Sequence, residues 1–106
     1  MKLWVDDVRP APKEYHWARS VNEAKKLITY YEPMYKVSGG KSYYKIELID
    51  IDHDAGDYSC DGGDYINLLD WLEETGRNYP IHIHSMNPVG IENMRQIIHK
   101  NGWKEV

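Results

Sequence analysis

Three short apolar runs in this chain each end in acid or imidazole, and that pattern constrains the fold more than any other feature. Leu3-Trp4-Val5 runs into Asp6-Asp7. Ile46-Glu47-Leu48-Ile49-Asp50-Ile51 runs into Asp52-His53-Asp54, and Pro80-Ile81-His82-Ile83 runs into His84-Ser85. Runs this short read as strands, and those without clean alternation suit a sheet covered on both faces. Tyr15-His16-Trp17-Ala18-Arg19 reads as a further short strand and Trp103 to Val106 as a last one. Helical patterns lie between them. Ser20-Val21-Asn22-Glu23 has the form of a capping box, followed by Val21, Ala24, Leu27, Ile28 and Tyr31 at helical spacing, with Pro33 just past the expected end. A second helix is expected from Gly63 to Thr75, with Ile66, Leu69, Leu72 and Trp71 inward and Gly76 closing it. A third carries Ile91, Met94, Ile97 and Ile98 and stops near Asn101-Gly102. Residues 34–44 read as either a hairpin turning at Gly39-Gly40 or a loose insertion. Alternating strands and helices give an α/β sandwich with a mainly parallel sheet.

At 106 residues the chain is expected to form one domain, residues 1–106. Hydrophobic residues at 42% and charged residues at 28% are those of a globular protein, and no apolar run approaches the roughly 20 residues that span a bilayer. The segment from Met1 to Asp7 meets acid after three apolar residues, unlike a signal peptide, so a cytoplasmic location is the expectation. A single cysteine, Cys60, excludes an internal disulfide framework and a cysteine-based zinc site. The net charge of −4 argues against bulk duplex binding, which needs a basic face, but leaves room for a local phosphate site. Four Trp, nine Tyr and no Phe supply rings with polar handles for half-wet positions.

In open α/β sheets ligands gather beyond the carboxyl ends of the strands. Asp6, Asp7 and Asp52 terminate two separate strands there, and converging carboxylates need a cation or a proton to coexist. A hard divalent ion such as Mg²⁺ is the simplest remedy. Asp57, Asp61 and Asp64 read instead as turn formers and caps. His82 and His84 stand two apart on a strand and share a face, His84 being nearer the rim. Such a pair can hold a metal, act as acid and base, or donate to a phosphate. His53 lies between two acids and reads either as a fixed, readily protonated group or as a solvated loop residue. No Gly-rich phosphate loop and no Gly-x-Ser-x-Gly elbow is present, and Cys60 sits in an acidic loop that weakens it as a nucleophile.

These strings, taken in order, resemble the response-regulator receiver domain. The narrower likeness is to its variant, the cyclic-phosphate-processing receiver domain. Leu3-Trp4-Val5-Asp6-Asp7-Val8-Arg9-Pro10, Asp52-His53-Asp54 with Gly56-Asp57, and Ile81-His82-Ile83-His84-Ser85-Met86-Asn87-Pro88-Val89-Gly90 carry it. The resemblance implies a flavodoxin-like three-layer sandwich of about five strands in the order 2-1-3-4-5. It implies metal binding by Asp6, Asp7 and Asp52, with Asp52 matching the phosphoacceptor and Ser85 the residue that touches the phosphoryl group. Only eight residues, Val8 to Tyr15, separate the first two strands, too few for a full crossover helix, and no final helix pattern follows the fifth strand. The first and last helices are therefore expected to be reduced or absent. Lys104 comes too early to match the phosphate-binding lysine of receivers.

The leading expectation is a metal-assisted phosphoesterase or phosphate-binding domain acting on 2′,3′-cyclic phosphate ends of nucleic acid. His84, helped by His82 or His53, would move protons, and Asp52 would join them in the reacting centre. Arg9, Ser85 and Asn87 would hold the phosphate, although Arg9 also fits a surface ion pair. The rivals are a signalling receiver phosphorylated on Asp52 and a non-catalytic phosphate- or partner-binding module.

Overall fold

The computed structural model describes all 106 residues. Four strands, β1 (Lys2–Val5), β2 (Tyr15–Ala18), β3 (Leu48–Ile51) and β4 (Ile81–Ile83), form one wholly parallel sheet in the order β2-β1-β3-β4. Three helices join and follow them: α1 (Val21–Val37) after β2, α2 (Ile66–Glu74) after β3, and α3 (Pro88–Lys100) after β4. This is the expected α/β class and strand order. The fifth strand shrinks to a single parallel bridge, Ile81 to Glu105, so the expectation of about five strands is corrected to four.

Successive side chains along each strand point to opposite faces of the sheet. Leu3, Val5, Ala18, Ile49, Ile51 and Ile81 are buried on one face. There they join a single core with Val21, Ala24 and Ile28 of α1, Leu68, Leu69 and Leu72 of α2, and Met94 and Ile98 of α3. The crossovers from β2 to β3 and from β3 to β4 advance in the same direction. Right-handed connections therefore place their helices on that one face. The other face presents the lateral row Trp17, Trp4, Asp50 and His82. No helix separates β1 from β2, and none follows the Glu105 bridge within these residues. Of the helices expected to be reduced or absent, the first is absent.

Helix α1 overturns the expectation that it stops before Pro33. Its start is as read: Ser20 Oγ accepts from the Glu23 amide at 3.0 Å, while Glu23 reaches back to the Arg19 amide at 2.7 Å. It then runs through Pro33 to Val37. Losing one backbone donor is offset by packing: Tyr31 is buried and meets Tyr43 and Tyr44 of the 3-10 turn Ser42–Tyr44. Gly39 and Gly40 do not turn a hairpin. The Gly39 amide donates to Lys36 O at 3.3 Å and the Gly40 amide to Tyr35 O at 2.8 Å, the paired bonds of a Schellman helix end. Gly39 supplies the left-handed φ of 76° that this end requires.

Candidate metal and phosphate site

The carboxyl ends of β1 and β3 lie side by side, and this adjacency brings Asp6 and Asp7 together with Asp52, 45 residues further along the chain. Asp6, Asp7 and Asp52 each offer a carboxylate oxygen such that all three lie within 4.8 Å of one another. Asp6 is fully buried and Asp52 nearly so. Asp6 Oδ1 accepts from the amides of Val8 at 3.0 Å and Arg9 at 2.9 Å, folding the loop after β1 around it. Asp52 Oδ1 accepts from the His53 amide at 2.8 Å.

The three acids differ in what balances their charge. Burial alone raises the Asp6 pKa. The bonds from Arg9, His84 and Val8 outweigh it and hold Asp6 below the ordinary carboxylate value. Asp7 goes the other way: burial raises its pKa and the charges of Asp6 and Asp52 raise it further. Ion pairs reach Asp6 from His84 and Arg9, but none includes Asp7 or Asp52. An all-oxygen set with two carboxylates lacking a cationic partner suits a hard divalent ion. Gly56 fits the same reading. A Cβ there would collide with Asp7 Oδ2, so the backbone is kept bare where the carboxylate approaches. Asp6, Asp7 and Asp52 would hold a Mg²⁺-like ion; none is part of the structure.

His84 is held on three sides. Its Nε2 lies 2.9 Å from Asp6 Oδ2, its Nδ1 lies 2.6 Å from Asp50 Oδ1, and its ring stacks on Trp4 at 3.9 Å with 3° between planes. Burial alone would lower its pKa; the bonds to Asp50 and Asp6 outweigh that and raise it. Both ring nitrogens face carboxylate oxygens, an arrangement that favours the imidazolium, which donates from both. Asp50, read from sequence only as part of a strand, is therefore a partner of the site. The signal was available: an acid inside an apolar run, facing the same way as Trp4 and His82.

The other expected residues are placed as follows. Arg9 Nη1 donates to His84 O at 2.9 Å and lies 3.8 Å from Asp6, bracing the pocket while its side chain stays 44% exposed. Ser85 Oγ accepts from the Asn87 amide at 3.1 Å. Asn87 Oδ1 caps α3 by accepting from the Gly90 amide at 3.0 Å. His53 packs its ring against Gly90, where no Cβ would fit, and bonds Asp54 at 2.9 Å. His53, Asp54 and Asp64 form a second group of close ligand atoms, separate from the first. His82 does not join the rim: its Nδ1 bonds Val106 O at 2.7 Å. Lys104 lies at the other end of the sheet, where its carbonyl accepts from the Ile81 amide opening β4. The one sizeable cavity, about 530 Å³, also opens at that far end between Tyr35, Ile46 and Tyr79, so the acidic pocket is a rim and not a cavern.

One cation at the rim has no signal in the motif strings. Arg19 follows β2, and its guanidinium lies 4.1 Å over the Trp17 ring, with Trp17 Nε1 donating to Asp6 O at 2.7 Å. The alternation Trp17-x-Arg19 at a strand end is the pattern that could have found it.

A family model for the cyclic-phosphate processing receiver domain matches residues 1–100. Neither the curated proteins nor the solved structures hold a match to the chain. No helix is long and apolar enough to cross a membrane. With the strand order, the acid trio and nearly the whole length in agreement, the chain belongs to the cyclic-phosphate-processing receiver domain family.

Proposed function

We propose that this domain binds a divalent cation, Mg²⁺ or a close relative, through Asp6, Asp7 and Asp52, and acts there on a cyclic phosphate end of a nucleic acid. The observation that carries the reading is the convergence of those three carboxylates at one rim. The bound ion would supply charge neutralisation and polarisation of a phosphoryl oxygen. The chain's own groups do the rest. His84 orients Asp6, and Trp4 and Asp50 fix His84, a positioning role that its two committed nitrogens favour over the proton shuttling expected from sequence. His53, bonded to Asp54 through Nδ1 alone, keeps its other ring nitrogen uncommitted to a protein partner and is the imidazole available to act on a substrate. Ser85 and Asn87 open α3 beside it, and their local bonds leave the Asn87 side-chain amide directed at Asp54, 3.5 Å away. His82 takes no part.

The test is incubation of an oligonucleotide ending in 2′,3′-cyclic phosphate with the protein and Mg²⁺ or Mn²⁺. Ring opening to a phosphomonoester is expected, abolished by Asp52→Asn and reduced by His84→Gln. No turnover with either metal would remove the catalytic part of the proposal. Stable labelling of Asp52 by acetyl phosphate would favour the signalling reading instead. Lys104, at the wrong end of the sheet to serve as a receiver's phosphate-binding lysine, speaks against that outcome.

A further inference from the structure

Arg19 is built as a binding group that the acidic pocket does not use. Its backbone is pinned at both ends: the amide donates to Glu23 Oε2 at 2.7 Å, and the carbonyl accepts from Tyr65 Oη at 2.6 Å. The side chain is held by rings. Its Cζ lies 4.1 Å from the Trp17 ring centre and 5.7 Å from that of Tyr58, and Nη1 donates to Tyr58 Oη at 3.3 Å. No carboxylate pairs with it, although the chain carries 17 acids. The nearby acids are engaged elsewhere: Glu23 on the Arg19 amide, and Asp61 on Ser20 and Asn22. Nε is buried without any acceptor, and Nη2 has no acceptor in the protein either. A buried donor left unpaired is costly and uncommon. Nη2, unpaired and not closed off from solvent, is the donor that an acceptor supplied from outside meets first, and a small shift of the guanidinium would bring Nε to it as well.

The position suits one acceptor. Trp17 links Arg19 to the pocket directly, since its indole N–H donates to the Asp6 carbonyl at 2.7 Å. Tyr58 belongs to the 3-10 turn Gly56–Cys60, whose first residue backs onto Asp7. The guanidinium therefore lies one indole ring away from the Asp6 backbone, flanked by aromatic surface. A planar cation on an aromatic platform is the arrangement that tracks a single-stranded backbone.

We propose that Arg19, with Trp17 and Tyr58, forms a subsite for the internucleotide phosphodiester next to the reacting end, so that the domain selects strand ends over free mononucleotides. The proposal rests on the reading that a phosphate end docks at the acidic pocket. The guanidinium fork takes the phosphodiester oxygens, and the rings support the adjoining sugar and base.

Two short strands with the same cyclic phosphate end test this, one with a phosphodiester at the adjoining linkage and one with a neutral methylphosphonate there. Wild-type protein is expected to bind the charged form about tenfold more tightly, the scale of one charge-assisted contact. Arg19→Gln should bind both forms alike, at the wild-type affinity for the neutral strand. The Arg19 Nε–H and Trp17 indole resonances should move with the charged strand and not with the neutral one. Arg19→Lys, which keeps the charge without the fork, should retain a reduced preference, and it serves as the variant should Arg19→Gln fail to fold. A preference that survives Arg19→Gln, an unmoved Nε–H, or no binding of either strand would overturn the proposal. Failure of the catalytic reading looks different: the charged-linkage preference and its loss in Arg19→Gln would persist while the cyclic end stays intact.

Discussion

Replacing His84 with alanine removes the one positive charge that two buried carboxylates share. The His84 side chain is 11% exposed, against 0% for Asp6 and 8% for Asp50, so solvent screens neither pair well. Breaking a buried pair by deleting one partner costs about 3–5 kcal/mol, because the remaining charge is left uncompensated. Loss of the stack on Trp4 adds about 1 kcal/mol. Protonation of one orphaned carboxyl gives some of this back, leaving a net loss of about 3–5 kcal/mol. That is a large share of the ~5–15 kcal/mol that holds a typical domain folded. In a chain of this size it lowers Tm by roughly 15–30 °C. The assay is urea and thermal unfolding in chelator, followed by tryptophan fluorescence, for wild type, His84→Ala, Asp50→Ala and the double variant. Asp50→Ala alone should be destabilising, and the double variant should lose clearly less than the sum, with a coupling of about 1–3 kcal/mol. A loss below about 1 kcal/mol for His84→Ala, or strict additivity, would refute the idea that the imidazolium binds these acids into one unit.

Asp7→Asn should abolish divalent-cation binding yet leave the metal-free protein as stable or more stable, because it relieves the burial of a charge and the repulsion from Asp6 and Asp52 that together raise the Asp7 pKa; calorimetric titration and Tm in chelator read the two effects. Gly56→Ala should weaken cation affinity at least tenfold in the same titration and cost about 1–3 kcal/mol, since the new methyl meets Asp7 at a residue with φ of 54°. Gly90→Ala should destabilise by about 1–3 kcal/mol, although alanine favours helices, because its methyl meets the His53 ring; a neutral or stabilising result by urea unfolding would contradict that packing. Glu32 carries the pH prediction. Burial raises its pKa, but the Arg77 fork and the Tyr79 hydroxyl outweigh burial and hold it below the ordinary glutamate value. Its contribution is therefore complete above the unfolded value of 4.5 and is lost as pH falls through the lower folded value. Glu32→Gln should flatten the fall in urea midpoint between about pH 5 and pH 3.

The site's outline was legible because strand ends are short and local: an apolar run followed by acid states where a side chain emerges, and two parallel neighbours then place Asp6 and Asp52 together. What sequence could not supply was lateral pairing. Asp50 gains its role only because β1 and β3 are neighbours, which sets it beside Trp4 and within reach of His84. Spacing put His82 and His84 on one face with His84 nearer the rim, and the structure separates them further. They separate because His84 lies just past the end of β4 at the rim, whereas His82 lies within the strand and meets Val106 O. Gly39-Gly40 fits a hairpin and a Schellman end equally well by local rules. In the structure the Gly39 and Gly40 amides close α1, and Tyr31 packs on Tyr43 and Tyr44 beyond that end, a pairing local rules do not state. Arg19 was hidden for the same reason, since its ring partner Tyr58 is 39 residues away.

The central claim is that Asp6, Asp7 and Asp52 share one hard cation, and titration with Mn²⁺ under amide-resolved NMR tests it most directly. The account predicts paramagnetic broadening that begins at residues 6–8, 52–53 and 55–57, reverses on adding excess Mg²⁺, and disappears in Asp7→Asn. Broadening confined to His53, Asp54 and Asp64, or spread evenly over the acidic surface, would contradict it.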